Sequence, residues 1–404
     1  MSALSGLILA FCVTQKFDEF AAGEFFLFLA ILGMLSTFFR IGLDNVILKN
    51  VGINNSKSNV SNIYAVSTLA VFTFYSVCLA LVYITKQLGI AQEFFEYKYS
   101  FFLIKVLPFY SLNIISSFLF QAQQKTFLSL LALNIVQNLS VSIYLVLATK
   151  VDIENLILQY QILAILIFIA INVFIYYRNG FPNFQIKFEA KLLLYTTLSF
   201  WVIALANQST IWFGQIYAAF YVDSGQIAFL STAQRLSSVI SLMLMAVNMV
   251  IAPKIAYFFK KGAISELKSL VQTSTTFLFV FVTFPVILIT LWADSIMTLF
   301  GKQYSEASEL LKIFCFAQLI NVMTGPVGFI LGMSGNERTL RNVVIIANII
   351  NIVVGVLFIP TFGVYGAALA TATGMIFQNI MLVYFVYRKF SFLCLPFFKL
   401  EKLS

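Results

Sequence analysis

The stretch Gly225–Ile251 reads GQIAFLSTAQRLSSVISLMLMAVNMVI and carries one formal charge, Arg235. A helix needs about 20 apolar residues to cross the hydrocarbon of a bilayer, and this run exceeds that. Arginine is among the worst side chains to leave in acyl chains, at roughly 2.5–3.5 kcal/mol on insertion scales. The segment therefore reads as a spanning helix with a reason to keep a cation inside it.

Working outward, ten further runs of this kind fall at about 24–46, 62–85, 100–121, 126–148, 156–177, 192–215, 271–293, 310–331, 343–358 and 365–387. Ala3–Val13 adds a twelfth that is short by itself; it lacks the positively charged start of a signal peptide, so a first helix is expected there. The composition agrees. Of 404 residues, 61% are hydrophobic and only 10% charged, against about a quarter charged in soluble domains. Mean hydropathy is +0.94. The chain is expected to be an all-α integral membrane protein of about 12 transmembrane helices. The net charge of +9 forms no basic patch with interleaved polar residues, so nucleic acid is not an expected partner. Histidine is absent, and Cys12, Cys78, Cys315 and Cys394 stand singly. Neither metal, cofactor nor disulfide spacing is visible.

The longest polar interruption near the middle, Arg178–Lys191, divides the spans six and six. The expected organisation is an N-terminal lobe over 1–178, a cytoplasmic linker over 179–191 and a C-terminal lobe over 192–404. With the N-terminus cytoplasmic, sixteen Lys and Arg fall on the cytoplasmic side against six opposite, counting connections only. The basic tail then returns to the cytoplasm. A faint repeat relates the stretch opening at Gly23 and closing on Asn45 and Lys49 to that opening at Gly225 and closing on Asn248 and Lys254. Similar halves are a common plan of secondary transporters.

Polar residues mark one face of the Arg235 helix. Ser231, Gln234, Arg235, Ser238, Ser241 and Asn248 recur at offsets of three, four and seven. Arg235 lies about 15 Å along the axis from Gly225, near mid-membrane. Asn207, Gln208 and Gln215 mark the preceding span, Gln318, Asn321 and Thr324 a later one, with Asn348 and Asn351 in the next. In the first half Asn113, Ser116 and Ser117 share a span, as do Asn134, Gln137 and Asn138. Such amides either glue helices together or line an aqueous cavity. The cations inside the spans are Arg235, Arg40 and Lys105. The one acid near them, Asp44, is expected to pair with Arg40 one turn away at the cytoplasmic end of its helix. Lys105 and Arg40 could also snorkel to the interfaces. A cavity lined by cations without carboxylates attracts an anion, and guanidinium forks match phosphate oxygens in pairs.

Several segments together resemble polysaccharide flippases of the multidrug/oligosaccharidyl-lipid/polysaccharide exporter superfamily, most of all Wzx-type O-antigen translocases. They are FAAGEFFLFLAILGMLSTFFRIGLDNVILKNV (Phe20–Val51), AQRLSSVISLMLMAVNMVIAPKIA (Ala233–Ala256), LFGKQYSEASELLKI (Leu299–Ile313), NVMTGPVGFILGMSGNERTLR (Asn321–Arg341) and NIVVGVLFIPTFGVYGAALATATG (Asn351–Gly374). The resemblance covers nearly the whole chain. It implies a MATE-like fold of two six-helix lobes around a central cavity. It implies an undecaprenyl-diphosphate-linked oligosaccharide, moved from the cytoplasmic to the periplasmic leaflet of the bacterial inner membrane for O-antigen or capsule synthesis. Arg235, Arg40, Lys105, Gln234, Ser238, Asn207, Gln208, Gln318 and Asn321 are the expected substrate-cavity residues. A monomeric transport unit is implied, with a polysaccharide polymerase and a chain-length regulator as partners. The short first helix departs from the family pattern. So does the missing protonatable carboxylate in the first lobe, which argues against simple proton- or sodium-coupled antiport. A cation-coupled drug exporter of the same superfamily is the alternative, although cationic drugs ask for carboxylates that these spans lack. A membrane glycosyltransferase or polymerase would ask for an exposed acid or a sizeable loop, and neither is present in the sequence.

Overall fold

The computed structural model describes residues 2–53, 55–87, 98–182 and 190–396. Among them every element is helical: α1 (Ser2–Lys16), α2 (Glu19–Arg40), α3 (Leu43–Ile53), α4 (Lys57–Gln87), α5 (Ser100–Ala122), α6 (Thr126–Leu130), a π turn (Leu131–Ile135), α7 (Val136–Leu147) and α8 (Ile153–Asn179). There follow α9 (Ala190–Ala218), α10 (Ser224–Lys261), α11 (Ile264–Leu291), α12 (Ala293–Thr298), a 3₁₀ turn (Lys302–Ala307), α13 (Ser308–Met323), α14 (Val327–Met333), α15 (Glu337–Phe362) and α16 (Val364–Phe390). Among the described residues eight helices are long and apolar enough to cross a membrane, or nine counting α13 and α14 as one bent span. Each of the twelve runs expected from the sequence has its helix, with Ala3–Val13 inside α1. The protein is a multi-pass, all-α membrane protein.

The helix ends follow local chemistry. Asp223 caps α10 by accepting the Gln226 amide at 2.9 Å, which satisfies one orphan donor of the first turn. Gly262 ends α10 with φ +71°, the left-handed conformation glycine adopts at helix ends. The helix thus runs well past the apolar stretch, carrying Lys260 and Lys261 in its last turn. Two helices are also shorter than their apolar runs suggest. The run over 24–46 breaks after Arg40, where Ile41 and Gly42 take φ of +50° and +73° before α3 resumes. The run over 126–148 is interrupted by the π turn at Leu131–Ile135.

The chain divides into two units, Met1–Lys16 with Phe25–Gln208, and Phe17–Glu24 with Ser209–Ser404. The division thus falls within α9. Of the linker expected over 179–191, residues 183–189 lie outside the described residues, Lys187 among them, as do Glu93, Glu96, Lys399 and Lys402. In the first unit Ile47, Val51, Tyr64, Leu112, Ile115 and Ile175 join one buried cluster. In the second, Ile255, Leu267, Val271, Ile330, Val343 and Val386 do the same. Outward faces are equally apolar: Leu158, Ile162, Leu166, Ile169 and Val173 of α8 are all exposed, at offsets that share a face. That surface suits acyl chains rather than water.

The small-residue run Gly363–Gly374 has the packing role that its composition implies. A Cβ on Gly366 would sit 2.5 Å from the Phe358 carbonyl carbon and 2.7 Å from the Ile359 amide nitrogen, and one on Gly374 would sit 2.9 Å from Asn351 Cβ. Helices α15 and α16 approach as closely as they do because those side chains are missing. Gly52 of α3 has open space around it. Gly366→Ala should therefore cost about 1–3 kcal/mol through overpacking, while Gly52→Ala should be neutral or slightly stabilising as a better helix former. Unfolding midpoints of the purified variants in detergent check the contrast; equal midpoints would contradict the close-packing account.

Candidate functional site

Arg235 is the twelfth residue of α10 and is half-buried. Its neighbours on the helix divide by burial. Ser231, Thr232, Ala233 and Ser237 are closed off inside the second unit, whereas Gln234 and Ser238 share the half-buried state of Arg235. The amides beside it are occupied. Gln215 Nε2 donates to Gln234 Oε1 at 2.6 Å, Ser231 Oγ donates to Gln215 Oε1 at 3.0 Å, and Gln234 Nε2 donates to the Ile211 carbonyl at 3.1 Å. This network ties the last turns of α9 to α10. Ser238 and Ser241 donate back to their own helix, to the Arg235 and Ser238 carbonyls, each at 2.6 Å. The hydroxyls thus soften their own cost in hydrocarbon, as serines in helices do. No acid stands on α10 between Asp223 and its end, so the helix itself offers this guanidinium no counter-charge.

Arg40 is placed differently. It is 5% exposed, and its Nε donates to Asp44 Oδ2 at 2.8 Å, while its two terminal nitrogens donate to Ser36 Oγ at 3.2 Å and Thr37 Oγ1 at 3.1 Å. The expected pairing with Asp44 is present, with Arg40 at the end of α2 and Asp44 in the first turn of α3. The pair staples a joint inside a longer helical run, because α3 continues for 11 residues beyond it. The left-handed Ile41 gives the joint its strain, since a β-branched residue there is an outlier. Asp44 Oδ1 is buried without a hydrogen bond.

Lys105 is exposed and sets its ammonium over the Phe101 ring, 3.7 Å from the centroid. Asn207 is exposed and Gln208 half-buried; both fall in the first unit, by their position on α9. Gln318 is buried and accepts from Asn321 Nδ2 at 3.2 Å, while Thr324 Oγ1 bridges the Asn321 carbonyl at 2.9 Å and Asn379 Oδ1 at 3.1 Å. Asn348 donates to Thr210 Oγ1 at 3.1 Å. In the first unit Asn113 and Gln137 donate to the Ala164 and Tyr160 carbonyls, and Asn138 to Ser5 Oγ. Most of the polar stripe residues are therefore inter-helix ties within a unit. Arg235 is half-buried on α10, while Thr210 and Asn379 are partners that offsets on a single helix could not pick out. The four cysteines are free thiols. In the connection between α5 and α6 burial, and then the Arg178 guanidinium, lower the pKa of the Lys125 ammonium.

Residues 201–357 match the MatE family. A curated relative, the "Probable low-salt glycan biosynthesis flippase Agl15" of Haloferax volcanii, is 22% identical over 171 residues, which is 42% of this chain and 36% of that protein's length. The fold is similar to that of the lipid II flippase MurJ in an inward closed conformation. The TM-score is 0.77 at 17% identity, covering 95% of this chain and 85% of that one. It is similar also to a multidrug resistance MATE family transporter of the MOP superfamily in an inward-facing conformation. There the TM-score is 0.73 at 13% identity, covering 97% and 95%. The all-α, MATE-like fold expected from the sequence is thereby shown.

The Arg40 geometry sets an expectation of its own. Removing one partner of a buried ion pair strands a charge and costs about 3–5 kcal/mol, whereas replacing both with apolar residues is often near neutral. Arg40→Leu alone should strongly lower the unfolding midpoint, and Arg40→Leu with Asp44→Leu should recover most of it. A double variant as unstable as the single one would show that the pair does not act as a unit.

Proposed function

We propose that the chain flips a diphosphate-linked polyprenyl oligosaccharide, undecaprenyl diphosphate being the carrier, from the cytoplasmic to the periplasmic leaflet of a bacterial inner membrane, for O-antigen or capsule assembly. The observation that carries this reading is a half-buried arginine deep in α10, on a helix without acids. A guanidinium there holds a phosphate oxygen pair through charge-assisted bonds that are strengthened by low dielectric. The flippase MurJ and the flippase Agl15 are among the proteins it resembles, which supports a lipid-linked substrate. Alternating access by the two lobes, with cytoplasmic termini, and supply to a polysaccharide polymerase and chain-length regulator complete the reading.

The second reading is cation-coupled drug export, favoured by the MatE match over 201–357 and the MATE transporter fold. Charge separates the two. A lipophilic cation gains nothing from Arg235, and a diphosphate does.

The test follows surface polysaccharide in a strain lacking its own flippase and complemented by this chain. Arg235→Ala should cut export about tenfold or more, the loss of one charge-assisted contact at about 1.5–3 kcal/mol, while Arg235→Lys retains a substantial part. Full export by the alanine variant, inserted at normal levels, would overturn the reading. A clear rise in resistance to lipophilic cations on overexpression, without polysaccharide rescue, would put drug export in its place.

A further inference from the structure

We propose that the groove between the π turn and α8 in the first unit holds an anionic phospholipid of the bilayer, its acyl chain among the apolar side chains and its phosphate between Lys125 and Arg178. The inference goes beyond the substrate reading and does not depend on it. It begins with a cavity of about 240 Å³, lined among others by Phe120, Leu128, Leu131, Ala132, Ile171 and Phe174. They come from α5, α6, the π turn and α8, all within one unit. No lining side chain carries a polar atom, so water finds no partner there and the space stays dry. Ala170 and Phe174 at its rim are exposed, as are Leu166, Ile169 and Val173 beside it. The groove therefore opens on the face that meets acyl chains.

Both walls of the groove end in a cation. On α8, Ile167, Ile171, Phe174 and Arg178 recur at offsets of four, three and four, which keeps them on one helical face. On the other wall Lys125 immediately precedes α6, with Leu128 three residues on and Ala132 four further. Phe120 joins the two ends. Its carbonyl accepts the Lys125 amide at 2.9 Å, and its ring meets the Phe174 ring at 6.0 Å between centroids. Arg178 follows Phe174 by about 6 Å along the helix, so ammonium and guanidinium stand at the same mouth. Burial, and then Arg178, lower the Lys125 pKa, as two cations facing each other should.

The charge inventory sets the class of ligand. Lys125 Nζ donates to the neutral Gln123 Oε1, and the ion pairs among the described residues join other side chains. On α5, α6, the π turn, α7 and α8 the only acid is Glu154, in the first turn of α8. It lies about 36 Å along that helix from Arg178. Two cations over a dry groove match a phosphate over a hydrocarbon chain. Basic pockets between membrane helices take anionic headgroups in this way, and guanidinium forks pair with phosphate oxygens. The bilayer supplies that ligand, because the groove opens outward into it. The π turn gains a role: it widens the turn that carries Leu131 and Ala132, and such turns recur at functional sites.

Unfolding midpoints of the purified full-length chain test this in detergent micelles holding equal mole fractions of dioleoyl phosphatidylglycerol or dioleoyl phosphatidylcholine. The expected result is a midpoint about 2 °C or more higher with phosphatidylglycerol. Lys125→Gln with Arg178→Gln should weaken phosphatidylglycerol binding about thirtyfold. Ala170→Trp, at an exposed position that fills the groove and spares both charges, should weaken it at least tenfold. Equal midpoints in the two lipids overturn the proposal. Undiminished binding by the glutamine variant overturns the phosphate contact, and by the tryptophan variant the groove. Inorganic phosphate raising the midpoint as far as the lipid does would show an anion site without a tail. A larger rise with undecaprenyl phosphate would give the groove to the carrier rather than to bilayer lipid, and would overturn the proposal too. The polysaccharide result is separate from all of these, because Arg235 takes no part in them.

Discussion

Polar groups in hydrocarbon must find partners inside the protein, and that constraint orders most of what this molecule does with its amides. Apolar surface cannot hold one helix of this chain against another, because acyl chains are as apolar as leucine. Specific association rests instead on close approach and on hydrogen bonds. Close approach is provided by Gly366 and Gly374 between α15 and α16. The hydrogen bonds come from pairs such as Gln215 with Gln234 and Asn348 with Thr210 in one unit, and Asn113 with the Ala164 carbonyl in the other. Against that background Arg40 and Arg235 are opposites. The first is closed into a staple with Asp44, Ser36 and Thr37, and the second is half-open on a helix without acids.

The positions of the helices were largely legible in the sequence, because a run of twenty apolar residues has one physical meaning. Even the short run Ala3–Val13 is a helix. What periodicity could not show was where helices break. Ile41 is an ordinary β-branched residue in sequence, and its left-handed backbone follows from the packing and the ion pair around it rather than from its own preference. The π turn at Leu131–Ile135 is likewise tertiary in origin. Gly325-Pro326 did offer a local signal, since a left-handed glycine followed by proline ends a helix. Residue types at helical spacing located the polar stripes but not the roles within them. Gln234 and Arg235 are neighbours with the same half-buried state, and the bonds of Gln234 to Gln215 and Ile211 could not be read from that spacing. Only contacts across helices separate glue from site.

Among the described residues, three interruptions fall beside polar pairs: Arg40–Asp44 at the first, Asn134 bonded to Tyr110 at the second, and Thr324 with Asn379 at the third. Discontinuous helices in transporters put backbone polarity where substrates and ions are held. Under the proposed function, a cation on a spanning helix and joints that bend would serve the movement of a large anionic lipid, and Arg235 on α10 and these interruptions are the features that would do so.

The central claim is that the Arg235 face of α10 meets water and attracts anions. It is tested most directly by a single cysteine at Ser238, in a chain whose four native cysteines are replaced, exposed in membranes to anionic and cationic methanethiosulfonates. The account predicts that the thiol reacts, and that the anionic reagent gains on the cationic one relative to a free thiol, with the gain lost on Arg235→Ala. A thiol inert to both, or one that favours the cation, would contradict it.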